Sequence, residues 1–322
     1  MRKLLRLIGL ACLLLLVLGI GWSAFWVAKT NRQIESEEIN AVRDNAPGQF
    51  IDVGGRSLHV LIEGDLLDDP TGSPLLLLHG FSAAGHATWL PWAELLSETR
   101  TIILVDMLNF GHSERVLEPH EDLTHRGQAA LIANLLDALG VQRVDLAGWS
   151  MGGAIASQLA LDYPQRVRAI AFVAPHIYGV EDFNPGRMLG GLPFGIGSAL
   201  AWNSLGGGPM GLVARKCATS GEWCHWLPLL RIKDTVAGLQ AISRTDRDSR
   251  VPHDIPQITQ PVLIIAGEVD PIVSLPNNRR LARELNAELF IAPGAGHWPA
   301  EKDPERIAQT MLMFFATHAA VQ

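Results

Sequence analysis

The chain has 322 residues, 48% of them hydrophobic and 18% charged, with 26 Lys and Arg against 33 Asp and Glu and a formal net charge of −7. That length and apolar fraction exclude a disordered chain and a small disulfide-held scaffold, and with no clustered positive footprint a nucleic-acid binder is excluded too. The three cysteines stand at 12, 217 and 224 with no CxxC pair and no Cys/His cluster along the sequence, which argues against a structural zinc site.

The chain opens on Arg2, Lys3 and Arg6, then runs uncharged for 22 residues from Leu7 to Ala28 before Lys29. As a helix this stretch reaches about 33 Å, enough for a hydrocarbon core of roughly 30 Å. Trp22 and Trp26 lie one turn apart at its end, where interfacial Trp is favoured. Residues 1–29 are therefore expected to form a transmembrane anchor. The alternative is a cleaved signal peptide, for which Gly21-Trp22-Ser23 offers small residues, but whose apolar part usually runs only about 7–15 residues. The excess of Lys and Arg before the span puts the N-terminus in the cytoplasm and the catalytic body in the periplasm or outside. Residues 30–48 are polar and read as a linker, with a short helix over 36–43.

From residue 49 the pattern alternates. Phe50–Val53 and Ser57–Ile62 read as strands joined at Gly54-Gly55, and Leu75–Leu78 as a strand buried on both faces. Thr101–Asp106, Val144–Ala147, Ala169–Val173, Val262–Ala266 and Glu288–Ile291 repeat that character. Helical patterns fall between them at Ala87–Glu98, Thr124–Leu139, Met151–Tyr163, Leu275–Leu285 and Pro304–Thr317. The fold class is α/β, a mostly parallel sheet flanked by helices. It divides into core residues 49–175 and 256–318, with 176–255 a helical cap insertion over the carboxyl edge of the sheet, where ligands bind in open α/β sheets. Gly186–Leu212, with nine Gly and one charge, reads either as a mobile lid or as closely packed cap helices. Trp202, Trp223 and Trp226 are candidates for lining a pocket. Cys217 and Cys224 would be about 10.5 Å apart on one helix, too far to bridge unless Ser220-Gly221 turns the chain.

Three turns carry chemistry. Gly148-Trp149-Ser150-Met151-Gly152 is G-x-S-x-G between a strand and a helix, the setting of an exposed nucleophile. A serine hydroxyl needs a base, and a base needs an orienting carboxylate. His297, in Gly296-His297-Trp298 after the last strand, is the candidate base; His112, His225 and His318 are poorer placed. Asp270, in Gly267-Glu268-Val269-Asp270-Pro271, is the candidate carboxylate, with Glu268 its rival and Asp106 in the wrong half of the order. The backbone N–H groups of Phe81 and Met151 are assigned to an oxyanion hole, and His79 to a structural role in that loop.

Over residues 48–318 the chain resembles the α/β-hydrolase fold family. The resemblance rests on His79-Gly80-Phe81, Asp106–Ser113, Gly148–Gly153, Gly267–Pro271 and Gly296-His297; Asn109 stands where the family more often has Gly. Ser150 argues against the members with an Asp nucleophile. The N-terminal helix with this core resembles membrane-anchored monoacylglycerol lipase-type members; the core alone also resembles C–C bond (meta-cleavage product) hydrolases. The expectation is a serine esterase or lipase acting on a small or lipid-like ester, with a C–C bond hydrolase as the alternative and an idle binding protein a distant third. No metal or organic cofactor is required by that chemistry.

Overall fold

The computed structural model describes residues 2–34, 43–69, 72–82, 84–178, 196, 232, 234–245, 251–299 and 302–319; the side chains of its first helix, α1 (Arg2–Ile34), are described from 13 to 29. Gly186–Leu212, Trp202, Trp223, Trp226, the Cys217/Cys224 question and nearly all of the 36–43 helix thus lie outside the described residues, Ile196 and Arg43 excepted.

Eight strands form one sheet: β1 (Gln49–Asp52), β2 (Ser57–Glu63), β3 (Leu75–Leu78), β4 (Ile102–Asp106), β5 (Val144–Trp149), β6 (Val167–Val173), β7 (Val262–Gly267) and β8 (Glu288–Ala292). The spatial order is β1-β2-β4-β3-β5-β6-β7-β8. β2 runs antiparallel to β1 and β4, and all later neighbours are parallel. Chain direction across the sheet reverses at β3, which pairs with β4 on one side and β5 on the other. The loops after β3 and β5 therefore leave a crevice at the carboxyl edge.

The central strands β3 to β7 are buried on both faces because both are covered, whereas the edge strands β1 and β8 are largely open. Leu76, Leu78, Ile103 and Val105 point to a core shared with α3 (His125–Ala138) and α4 (Met151–Asp162). Leu75, Leu77, Ile102 and Leu104 point to the other, built with α2 (Leu90–Ser97) and α8 (Pro304–Thr317). α5 (Thr235–Arg244), absent from the sequence expectation, adds Leu239, Ala241 and Ile242 to the first core. A short α6 (Val251–Asp254) leads to β7, and α7 (Leu275–Leu285) lies between β7 and β8.

α1 spans Arg2–Ile34. Leu13 to Leu18, Ile20, Trp22 and Phe25 are all more than half exposed. Among the described residues no helix is long and apolar enough to cross a membrane.

Candidate active site

The turn from β5 into α4 sets Ser150 at φ 53°, ψ −116°, a backbone region that non-glycine residues seldom occupy. Three hydrogen bonds fix it there: Ser150 N–H to the Val173 carbonyl at 3.0 Å, and Gly153 and His176 N–H to the Ser150 carbonyl, each at 2.9 Å. The turn is also wedged against the end of β3. A Cβ on Gly152 would lie 2.3 Å from the Leu78 carbonyl oxygen, so only glycine fits.

His297 is carried by the loop after β8 and Asp270 by the loop after β7. His297 Nε2 lies 3.0 Å from Ser150 Oγ, and His297 Nδ1 lies 2.8 Å from Asp270 Oδ2. The other carboxylate oxygen of Asp270 accepts the N–H groups of Ile272 at 2.7 Å and Val273 at 2.9 Å. The carboxylate side chain is fully buried, and the imidazole keeps 15% exposure, enough to face a reactant. With the carboxylate on Nδ1, that nitrogen holds the ring proton and Nε2 is free to accept from the hydroxyl.

The rivals are engaged elsewhere. Glu268 is exposed and accepts the Gly294 N–H at 2.8 Å, which shapes the His297 loop. Asp106 is buried among three histidines, one of them His112. His318 donates to the Phe314 carbonyl. His225 lies outside the described residues.

One residue that the sequence did not single out holds the backbone of His297. Trp149 Nε1 donates to the His297 carbonyl at 2.9 Å, and its ring packs 4.6 Å from Trp298, which stacks on Trp92 at 4.9 Å. No spacing signal could have linked Trp149 to a carbonyl 148 positions away. The only hint was the Trp-rich composition.

The loop after β3 closes the other side. An ideal Cβ on Gly80 would lie 3.1 Å from the Ser150 Cβ, so the backbone at Gly80 passes directly beside Ser150. His79 pins this loop: its Nδ1–H donates to the Gly80 carbonyl at 2.7 Å, and its Nε2 accepts the Met107 N–H at 3.1 Å. Burial lowers the His79 pKa to about 4, despite the attraction of Asp106. Among the described residues neither the Phe81 nor the Met151 N–H has a hydrogen-bond partner. The Met151 N–H begins α4, where unpaired donors and the helix dipole favour developing negative charge.

Residues 73–190 match the family described as alpha/beta hydrolase fold, and residues 237–319 the one described as TAP-like protein. A 2-hydroxymuconate semialdehyde hydrolase of Pseudomonas sp. (strain CF600) is 35% identical over 297 residues, covering 84% of this chain and 97% of that one. Among solved structures, the enol-lactonase of Burkholderia xenovorans LB400 superposes with a TM-score of 0.65 at 21% identity, covering 83% of this chain and 100% of that one. A thermophilic esterase of Thermogutta terrifontis superposes with a TM-score of 0.63 at 21% identity, over 85% and 100% of the two chains.

Proposed function

The chain belongs to the alpha/beta hydrolase family, and from that membership we propose that it is a serine hydrolase in which Ser150 is the nucleophile, His297 the base and Asp270 the orienting carboxylate. The observation that carries this reading is the unbroken line of contacts Ser150 Oγ–His297 Nε2–His297 Nδ1–Asp270 Oδ2, at 3.0 and 2.8 Å. His297 Nε2 takes the hydroxyl proton as Oγ bonds to a carbonyl carbon, and Asp270 stabilises the imidazolium. The N–H groups of Phe81 and Met151 hold the oxyanion. Collapse of that adduct expels the leaving group, which takes the proton from His297. Water, deprotonated by the same imidazole, then releases the acyl group from Ser150.

Of the bonds such a triad cleaves, we favour a carbon–carbon bond beside a carbonyl. The support is the 2-hydroxymuconate semialdehyde hydrolase that matches over nearly its whole length. The sequence expectation of an acyl ester is the second reading. What favours it is α1, whose exposed leucines would place the body at a bilayer, close to lipid-like esters. We propose that α1 is a membrane anchor, with the body on the outer side.

One experiment separates these readings. The purified chain is assayed on 2-hydroxymuconate semialdehyde and on a p-nitrophenyl ester series, with Ser150→Ala as control. The C–C reading expects the larger kcat/KM on the semialdehyde; a larger value on the esters replaces it with the ester reading. Ser150→Ala should lose about 10⁴-fold or more in kcat on whichever substrate is used. Near-wild-type turnover by this variant would remove the nucleophile assignment.

A further inference from the structure

The sequence shows no Cys/His cluster, but the fold makes a histidine cluster. His59 from β2, His86 from the 3₁₀ turn after β3, Asp106 from the end of β4 and His112 from the loop beyond it converge in the interior. Each offers a ligand atom, and these atoms all lie within 4.8 Å of one another. His59 and Asp106 are fully buried, and His86 and His112 are 3% and 8% exposed. The expectation drawn from sequence spacing, that no zinc site exists, did not take account of positions 59, 86, 106 and 112 meeting across three segments.

The carboxylate at the centre is held by two Gly-His pairs. His86 N–H donates to Asp106 Oδ1 at 2.6 Å and His112 N–H to Oδ2 at 2.8 Å. The glycine before each histidine has positive φ, and a Cβ on either would lie 2.0 Å from the Asp106 side chain. Both loops are thus shaped to close on this one group.

The imidazoles are arranged around this anion. His59 Nδ1 lies 2.8 Å from Oδ2, His86 Nδ1 2.9 Å from Oδ1 and His112 Nδ1 3.4 Å from Oδ2. Ligands on a tetrahedral zinc ion, with bonds of about 2.0–2.1 Å, sit roughly 3.3 Å apart; these three spacings are within about 0.5 Å of that, and the widest, at most 4.8 Å, needs up to about 1.5 Å of closure. Two further features point to a cation. His112 Nδ1 is buried and makes no hydrogen bond, a cost that a bound metal removes. His59 has an acceptor at each nitrogen, Asp106 at Nδ1 and the Pro47 carbonyl at Nε2. A protonated imidazole would donate to both; a neutral one meets both when a metal shared with the carboxylate sits at Nδ1 and its Nε2–H donates to the carbonyl, the usual outer-shell arrangement of metal-bound histidine.

We propose that His59, His86, Asp106 and His112 form a structural binding site for a late first-row divalent cation of the zinc type. Three imidazole nitrogens and one carboxylate oxygen are a donor set suited to such ions, and four protein ligands with almost no solvent access describe a closed structural site, not a catalytic one. The ion clasps β2, the turn after β3 and the loop after β4.

The test uses the full chain, stripped with a chelator and titrated with Zn²⁺ by calorimetry and metal analysis, then with Co²⁺ by visible absorption. One equivalent per chain at micromolar Kd or tighter, a rise in Tm and the intense d–d bands of tetrahedral Co²⁺ are expected. His112→Ala removes only the 3.4 Å contact of Nδ1 with Asp106 and keeps the backbone N–H bond to that carboxylate, so the stripped variant should fold and melt near the stripped wild type, yet bind about 100-fold or more weakly. His86→Ala gives a second, independent loss. Binding that both variants leave intact would mean adventitious capture at surface histidines and would overturn the proposal. So would a stripped protein that takes up no stoichiometric metal, which would make the cluster a hydrogen-bonded knot alone.

Discussion

His79 ties protonation to the shape of the loop beside Ser150. With Nδ1–H given to the Gly80 carbonyl and Nε2 accepting from Met107, a second proton would break the Met107 contact. The folded pKa is about 4, against about 6.5 in the unfolded chain. Between those values only the unfolded chain gains a proton, so the stability is full above about pH 6.5 and falls on acidification. The loss grows to about 3 kcal/mol near pH 4. Urea unfolding from pH 7.5 to 4.5 should therefore give a flatter profile for His79→Gln than for the wild type, by about that amount. Trp149→Phe keeps a ring but deletes the donor to the His297 carbonyl. A neutral hydrogen bond of about 1 kcal/mol predicts a fall of about fivefold in kcat, with KM little changed. Ser150, Asp270 and His297 were legible because each stands on a turn just after a strand, where side chains meet at the carboxyl edge. Trp149 and the His59–His86–His112 group were not, because their partners are set by strand order and no local pattern encodes that.

Strands and helices divide their duties by end. The carboxyl ends of β3, β5, β7 and β8 lead into the reactive loops, whereas the amino ends are tied by charge. Asp145, fully buried near the start of β5, accepts Arg100 Nη2 at 2.6 Å, two residues before β4, and Arg168 Nε at 2.7 Å, on β6. Removing this carboxylate strands two guanidinium groups. Asp145→Ala should cost about 3–5 kcal/mol in denaturant unfolding, while kcat of the protein that remains folded stays unchanged. The core strands and the helices α7 and α8 were readable because apolar runs and caps agree locally; Asp303, for example, accepts the Arg306 N–H at the start of α8. α2 begins at Leu90, after the start expected from the sequence, because Gly85–Thr88 forms a 3₁₀ turn and Pro91 favours a fresh first turn. α5 escaped notice since Gly238 and Ser243 interrupt a short apolar pattern whose burial comes from tertiary packing.

For the molecule as a whole, α1 with its exposed leucines and the sheet-centred body make separable predictions. A chain lacking residues 1–34 should keep kcat/KM on a soluble substrate within about twofold and lose partition into phospholipid vesicles in a flotation assay. Retained flotation would refute the anchor, and lost activity would show that α1 serves the body. The body itself is joined at the places where the chain leaves and rejoins it. After β6, His176 N–H bonds to the Ser150 carbonyl at 2.9 Å. On return, the Asn109 amide donates to the Gly238 carbonyl at 3.0 Å and Arg115 to Thr235 Oγ1 at 3.1 Å. The second mooring fastens α5 to the loop after β4, away from Ser150, Asp270 and His297, so Asn109→Ala should loosen the rejoining segment and leave their mutual distances as they are.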